Sequence, residues 1–118
     1  MLKVLFVSGY KNHEIGVFKN NGPEAGYIKK AIEKKLLQLL DEGLEWVVIS
    51  GQLGVELWAG EAVIGLKEEY PELQLAVLTP FLDQESGWNE SNQEYYHSVI
   101  SCADFVESIS KQPYTDPS

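Results

Sequence analysis

Three short apolar runs set the limits on what this chain can fold into. Residues 3–8 (KVLFVS), 46–50 (WVVIS) and 73–79 (LQLAVLT) are nearly continuous in apolar, β-branched and aromatic side chains. Runs of this length without polar alternation suit strands buried on both faces of a sheet. The stretches between them have another period. Over residues 23–42, apolar side chains recur at Ile28, Ala31, Ile32, Leu36, Leu39 and Leu40, with Pro23 at a first-turn position and Gly43 where a helix stop belongs. A second helix is predicted over residues 55–70, ended by Pro71. Gly60 and Gly65 inside it each cost about 1 kcal/mol relative to Ala, a cost that close packing of helix on sheet would justify. A shorter helix is predicted over residues 92–102 and a weaker fourth strand over residues 104–109 (DFVESI). The tail KQPYTDPS holds two prolines and no periodicity.

Buried-strand patterns alternating with helices predict parallel βαβ units with right-handed crossovers. The expected fold class is α/β, a Rossmann-like three-layer α/β/α arrangement with a mainly parallel sheet. A length of 118 residues suits one domain, residues 1–118. Doubly wound domains usually carry five or six strands, and this chain ends after about four. The domain is therefore either minimal or lacks its last C-terminal strand or strands.

Composition narrows the chemistry. Hydrophobic residues make up 44% of the chain, enough for a core without disulfide or metal staples. Cys102 is the only cysteine, which excludes an intramolecular disulfide and a Cys-cluster metal site; its apolar surroundings predict a buried thiol. The formal net charge is −9 and all nine basic residues are Lys. An acidic surface without a basic stripe repels nucleic-acid phosphates, so no direct nucleic-acid partner is expected. Lys29, Lys30, Lys34 and Lys35 are expected to form the solvated face of a helix. Any bound anion must be held by backbone amides or Lys, because no Arg fork exists. No apolar stretch approaches the roughly 18 residues that span a bilayer. The N-terminus lacks a signal-type apolar region. No membrane insertion and a cytoplasmic location are the expectations.

In an open α/β sheet, ligands bind beyond the carboxyl ends of the strands. Residues 8–11 (SGYK), 50–54 (SGQLG) and 79–81 (TPF) converge there by topology. Gly51 and Gly54 allow positive φ and close approach of the backbone to a ligand. The helix start near Val55 then offers amides and a positive dipole end to phosphate or carboxylate. The same spacing also serves a plain strand-to-helix turn. It is neither a Walker loop, a GxGxxG fingerprint nor a nucleophile elbow. Glu56 in the first helical turn gains about 0.3–1 kcal/mol from the macrodipole. Beside a phosphate, a carboxylate suits ribose hydroxyls, or acid/base work on a glycosidic bond. Trp58 has two readings, a core aromatic or a stacking surface for a base.

The candidate ligand-binding set is Gly9, Tyr10, Lys11, Ser50, Gly51, Gln52, Gly54, Glu56, Trp58 and Thr79. Lys11 is the best-placed cation, in a loop over residues 9–22 that is long for a βα connection. His13 and Glu14 in that loop read as solvated, and His97 as partly exposed and structural. Asp83, Glu85, Trp88 and Asn89 make a second polar loop at the same edge. Two carboxylates and one His do not form a metal set. No catalytic residue, metal or cofactor is assigned.

The strings VSGYKNHEIGVF, YIKKAIEKKL, LDEGLEWVVISGQLGVELWAGEAV, YPELQLAVLTPF and W-N-E-x-N-Q resemble the YpsA-like family of bacterial proteins over almost the whole chain. That family lies in the SLOG superfamily of Rossmann-like domains, with the DNA-uptake processing protein A and the LOG-type phosphoribohydrolases. The resemblance implies a domain that senses or processes a nucleotide-derived, ADP-ribose-like ligand, with links to cell division and stress response. It assigns functional roles to Gly54 and Glu56. The PGG-x-GT segment that supplies catalytic groups in LOG-type hydrolases is absent, which favours binding over catalysis. Relatives usually continue beyond this endpoint with at least one further strand. An incomplete domain with an exposed sheet edge is therefore implied, and such an edge favours homo-oligomerisation or strand pairing. Three hypotheses stand: a non-enzymatic ligand-binding or regulatory domain first, a nucleotide N-glycosidic hydrolase second, and a protein-interaction module third.

Overall fold

A computed structural model describes residues 3–9, 11–17, 19–80 and 84–110 of the chain. Tyr10, Phe81, Asp83, the side chain of His13 and the tail from residue 111 lie outside the described residues. The elements run β1 (Val4–Phe6), α1 (Asn12–Ile15), α2 (Pro23–Asp41), β2 (Trp46–Ile49), α3 (Val55–Leu66), β3 (Gln74–Thr79), α4 (Glu90–Ser101) and β4 (Phe105–Ser108). All four strands pair in parallel, in the order β1-β2-β3-β4. The fold is α/β with a parallel sheet in a Rossmann-like layout.

The period-2 geometry of the strands sorts their side chains. Val47 and Ile49 on β2, with Leu75 and Val77 on β3, are buried and join Leu36 and Leu39 of α2, Leu57, Val63 and Leu66 of α3, and Tyr96 and Val99 of α4 in one core. The three longer helices therefore share one face of the sheet, as right-handed connections demand when each new strand is added on the same side. α3 is the central member of this layer and packs against both α2 and α4. Gly60 is the reason it sits so close. A Cβ there would lie 2.9 Å from Val99 Cγ1 and 3.0 Å from Ile49 Cδ1. Gly65 has no such role: it is exposed and a Cβ would meet nothing within 4 Å.

Three further expectations are corrected. β1 is not buried on both faces, because Val4 and Phe6 are 42% and 72% exposed on the side that carries no helix among the described residues. α3 stops at Leu66, four residues early, because beyond that last buried side chain Lys67, Glu68 and Glu69 have no face to bury. Cys102 is exposed, because α4 ends at Ser101 and the cysteine caps it in the turn leading to β4. That turn is held instead by Asp104. Its carboxylate accepts from Lys67 Nζ at 2.5 Å and from the Leu75 amide at 2.8 Å. Among the described residues, no helix is long and apolar enough to cross a membrane.

Candidate functional site

The strand-to-helix turn after β2 is built by two glycines and one carboxylate. Gly51 has φ +82° and Gly54 has φ +106°, backbone states that other residues rarely adopt. The resulting reversal brings Glu56 back under the end of β2. Glu56 is only 8% exposed. Its Oε1 accepts from the Ser50 amide at 2.7 Å and from the Ser50 hydroxyl at 2.6 Å. The carboxylate thus fixes the turn from inside while standing in the first turn of α3. Gly54, as the N-cap, has no side chain with which to cap the α3 amides.

Other segments close on this turn. Gly9, just past β1, lies against Val55, where a Cβ would come within 2.7 Å of Val55 Cγ1. Lys11 forms an isolated antiparallel bridge with Gly54, and the Asn12 amide donates to the Leu53 carbonyl at 3.3 Å. The Lys11 amide in turn donates to Glu14 Oε1 at 2.8 Å. Thus Gly9, Lys11, Ser50, Gly51, Gln52, Gly54 and Glu56 are brought together at the carboxyl edge of the sheet. The 9–22 loop is not wholly irregular, since it contains the one-turn α1.

Two nominated residues are placed elsewhere. Trp58 is fully buried and its Nε1–H donates to Asn20 Oδ1 at 3.0 Å, so no ring face is open to a base. Thr79 is 3% exposed, and its hydroxyl is paired with that of Ser108 on β4 at 2.7 Å. Neither side chain lines an open wall.

Sequence reasoning missed Gln84. This buried side chain donates from Nε2 to the Ser50 carbonyl at 2.9 Å and accepts at Oε1 from Gln52 Nε2 at 3.3 Å. Gln84 links the β3–α4 loop to the β2–α3 turn, and nothing in DQES marks it above its neighbours. Asn20 was also missed. It accepts from Trp58 and donates from Nδ2 to Asn92 Oδ1 at 3.0 Å, tying the loop before α2 to α3 and α4.

The W-N-E-x-N-Q string has a structural meaning. Asn89 Oδ1 caps α4 by accepting from the Asn92 amide at 2.8 Å. Gln93 Nε2 reaches the carbonyls of Glu85, Ser86 and Trp88 at 3.0–3.2 Å and holds the preceding turn. Trp88 stands edge-on to Tyr96 at 5.4 Å. His97 is exposed, with Nε2 3.2 Å from Glu85 Oε2.

Two hollows lie near or away from this edge. One of about 440 Å³, between α2, α3 and α4, is lined by Lys19, Asn20, Lys29, Glu61, Asn92 and Tyr95. Lys29 is not on the solvated face expected of it, because its ammonium turns into this hollow, 2.9 Å from Glu61. Burial, then the Glu61 carboxylate, pushes the Tyr95 hydroxyl far above its usual range. A second hollow of about 500 Å³ is lined by Leu40, Gly43, Glu69, Tyr70, Pro71 and Glu72 among others. It opens at the amino ends of β2 and β3, the wrong end of a parallel sheet for a ligand site.

The profile of the YspA SLOG family, YpsA, matches residues 5–118. The chain belongs to this family. Among curated proteins, it is 56% identical to the UPF0398 protein of Halalkalibacterium halodurans, over 98% of this chain and 61% of that one. It is likewise 56% identical to a Bacillus cereus (strain G9842) UPF0398 protein, over 98% of this chain and 63% of the relative. The Brevibacillus brevis UPF0398 protein is 55% identical over 97% and 61%. The YpsA-family chain spans about three fifths of the length of these relatives.

Proposed function

We propose that the carboxyl edge of the sheet binds a nucleotide-derived ligand of the ADP-ribose class, without breaking a bond in it. The observation that carries this reading is the state of Glu56. One carboxylate oxygen holds Ser50 through two hydrogen bonds, while the other takes none among the described residues. A rigid, half-committed carboxylate suits a ribose hydroxyl. The start of α3, where Gly54 offers no side-chain cap, suits phosphate, and Lys11, whose backbone bridges Gly54, would add the cation that an Arg would otherwise supply. Gly9, Gln52 and Gly51 complete the rim. Gln84, through its bonds to Ser50 and Gln52, is a positioning residue. Glu56 is better suited to positioning than to proton transfer, since Ser50 already engages Oε1, and this ranks binding above N-glycosidic hydrolysis. The regulatory role in bacterial cell division or stress response that the resemblance implies would follow from such sensing.

Calorimetric titration of ADP-ribose against the wild type, Lys11→Ala and Gly54→Ala tests the reading. Weakening of at least tenfold in both variants supports it; unchanged affinity in both removes it. Free base released from nucleoside monophosphates would transfer the assignment to the hydrolase.

A further inference from the structure

The polar hollow of about 440 Å³ between α2, α3 and α4 shares no residue with the set gathered at the carboxyl edge. Its own hydrogen bonds leave it rich in donors. The Trp58 indole N–H can only donate, so it fixes Oδ1 of Asn20 as its acceptor and Nδ2 as the donor to Asn92 Oδ1. Asn92 is left with its Nδ2 amide, which has no acceptor among the described residues. Asn89 is oriented in the same way, because its Oδ1 accepts from the Asn92 backbone amide and its Nδ2 remains. Lys29 spends two of its three N–H groups, one on the Asn20 carbonyl and one on Glu61, and lies 5.6 Å from the centre of the Tyr95 ring. Tyr95 adds a further donor. Its hydroxyl is closed off from solvent and has no hydrogen-bond partner among the described residues. Burial, then the Glu61 carboxylate, keeps it protonated. Buried polar groups are almost always paired, so an unpaired one calls for a partner.

We propose that this hollow binds a small organic acid that carries a hydroxyl or ammonium donor beside its carboxylate. The carboxylate sits against the side-chain amides of Asn89 and Asn92, where Lys19 and the first turn of α4 supply positive potential. The charges select a carboxylate over a phosphate. Glu61 already neutralises Lys29, which leaves Lys19 to balance one negative charge rather than two. Glu61, with its side chain 43% exposed, repels a dianion but accepts from a donor on the neighbouring carbon. As the acid draws the Lys29 ammonium toward itself, Glu61 is freed to accept from the Tyr95 hydroxyl.

The test is a heteronuclear NMR titration of the chain with L-lactate, L-alanine, acetate and inorganic phosphate at fixed ionic strength. The Trp58 indole N–H, bonded to Asn20 in the lining, reports occupancy and is assigned with Trp58→Phe. A saturable shift is expected with L-lactate or L-alanine, at lower concentration than with acetate. Asn89→Asp and Asn92→Asp keep the oxygen that each residue uses within the fold and replace only the donor. Each should therefore fold and bind about tenfold or more weakly, as loss of a bond to a charged group implies. Lys34→Ala, on an exposed part of α2, should leave the affinity unchanged. No saturable shift with either L-lactate or L-alanine would overturn the proposal, and so would unchanged affinity in both Asp variants. Phosphate binding more tightly than all three acids would overturn the assignment to a carboxylate.

Discussion

The bond pair between Ser50 and Glu56 gives the most direct prediction of stability. Replacing Glu56 by Ala removes a buried carboxylate that accepts from the Ser50 amide at 2.7 Å and the Ser50 hydroxyl at 2.6 Å. Hydrogen bonds to an ionised group contribute about 1.5–3 kcal/mol each, and a donor left unpaired in the interior adds to the loss. Glu56→Ala is therefore expected to cost about 3 kcal/mol or more. That is a large share of the roughly 5–15 kcal/mol typical of a domain. Glu56→Gln keeps an acceptor but loses the charge, which about halves such bonds, so about 1–2 kcal/mol is expected. Ser50→Ala removes only the hydroxyl donor and should cost about 1.5 kcal/mol in the wild type and almost nothing beside Glu56→Ala. Urea denaturation at constant m-value reads all four corners of this cycle. A Glu56→Ala cost below about 0.5 kcal/mol, or strict additivity with Ser50→Ala, would refute the role of Glu56 as the internal clasp of the turn.

Three more outcomes are expected. Gly60→Ala should destabilise by about 1–2 kcal/mol, because crowding against Val99 and Ile49 outweighs the gain in helix propensity, whereas Gly65→Ala in open space should stabilise by about 0.5–1 kcal/mol; midpoint shifts of the same sign would contradict the packing. Trp58→Phe deletes the donor to Asn20 and should cost about 1 kcal/mol by thermal melting while leaving ligand affinity unchanged. Burial works to raise the Asp104 pKa, but the bonds from Lys67 and the Leu75 amide outweigh it and hold the carboxylate below its usual value. Its folded pKa lies below its unfolded one, so its stabilisation is complete above about pH 3.9 and is lost as pH falls through the folded value. Asp104→Asn should therefore lower the urea midpoint at pH 7, and by progressively less as the pH falls below about 3.9.

The strand cores and the first long helix were legible because burial imposes periodicity on the sequence itself. β2, β3 and α2 lie where the apolar runs and the Pro23 and Gly43 signals put them. What the pattern could not carry was partnership. An apolar run like VLF is identical whether one face or both are covered, so the exposure of Phe6 was invisible. Pro71 marked the latest point at which α3 could end, whereas its true end was set by the loss of a buried face after Leu66. At the candidate site, the glycines and Glu56 announced a turn, but the partner of Glu56 lies six residues back across a reversal that two positive φ angles create. Gln84 and Asn20 act through contacts 34 and 38 residues away in sequence, beyond the reach of any local pattern. Trp58 was ambiguous for a related reason, since only its contacts distinguish a core indole from a stacking one.

The most direct measurement is a thermal-shift series with AMP, ADP, NAD and ADP-ribose on the wild type and Glu56→Gln. A ligand at about 100 times its Kd adds about 2.7 kcal/mol of stability. A rise in Tm with at least one of them is expected in the wild type, with most of it absent in Glu56→Gln measured against that variant's own baseline. No rise with any of the four, in a chain that melts cooperatively, would contradict a nucleotide site at this edge.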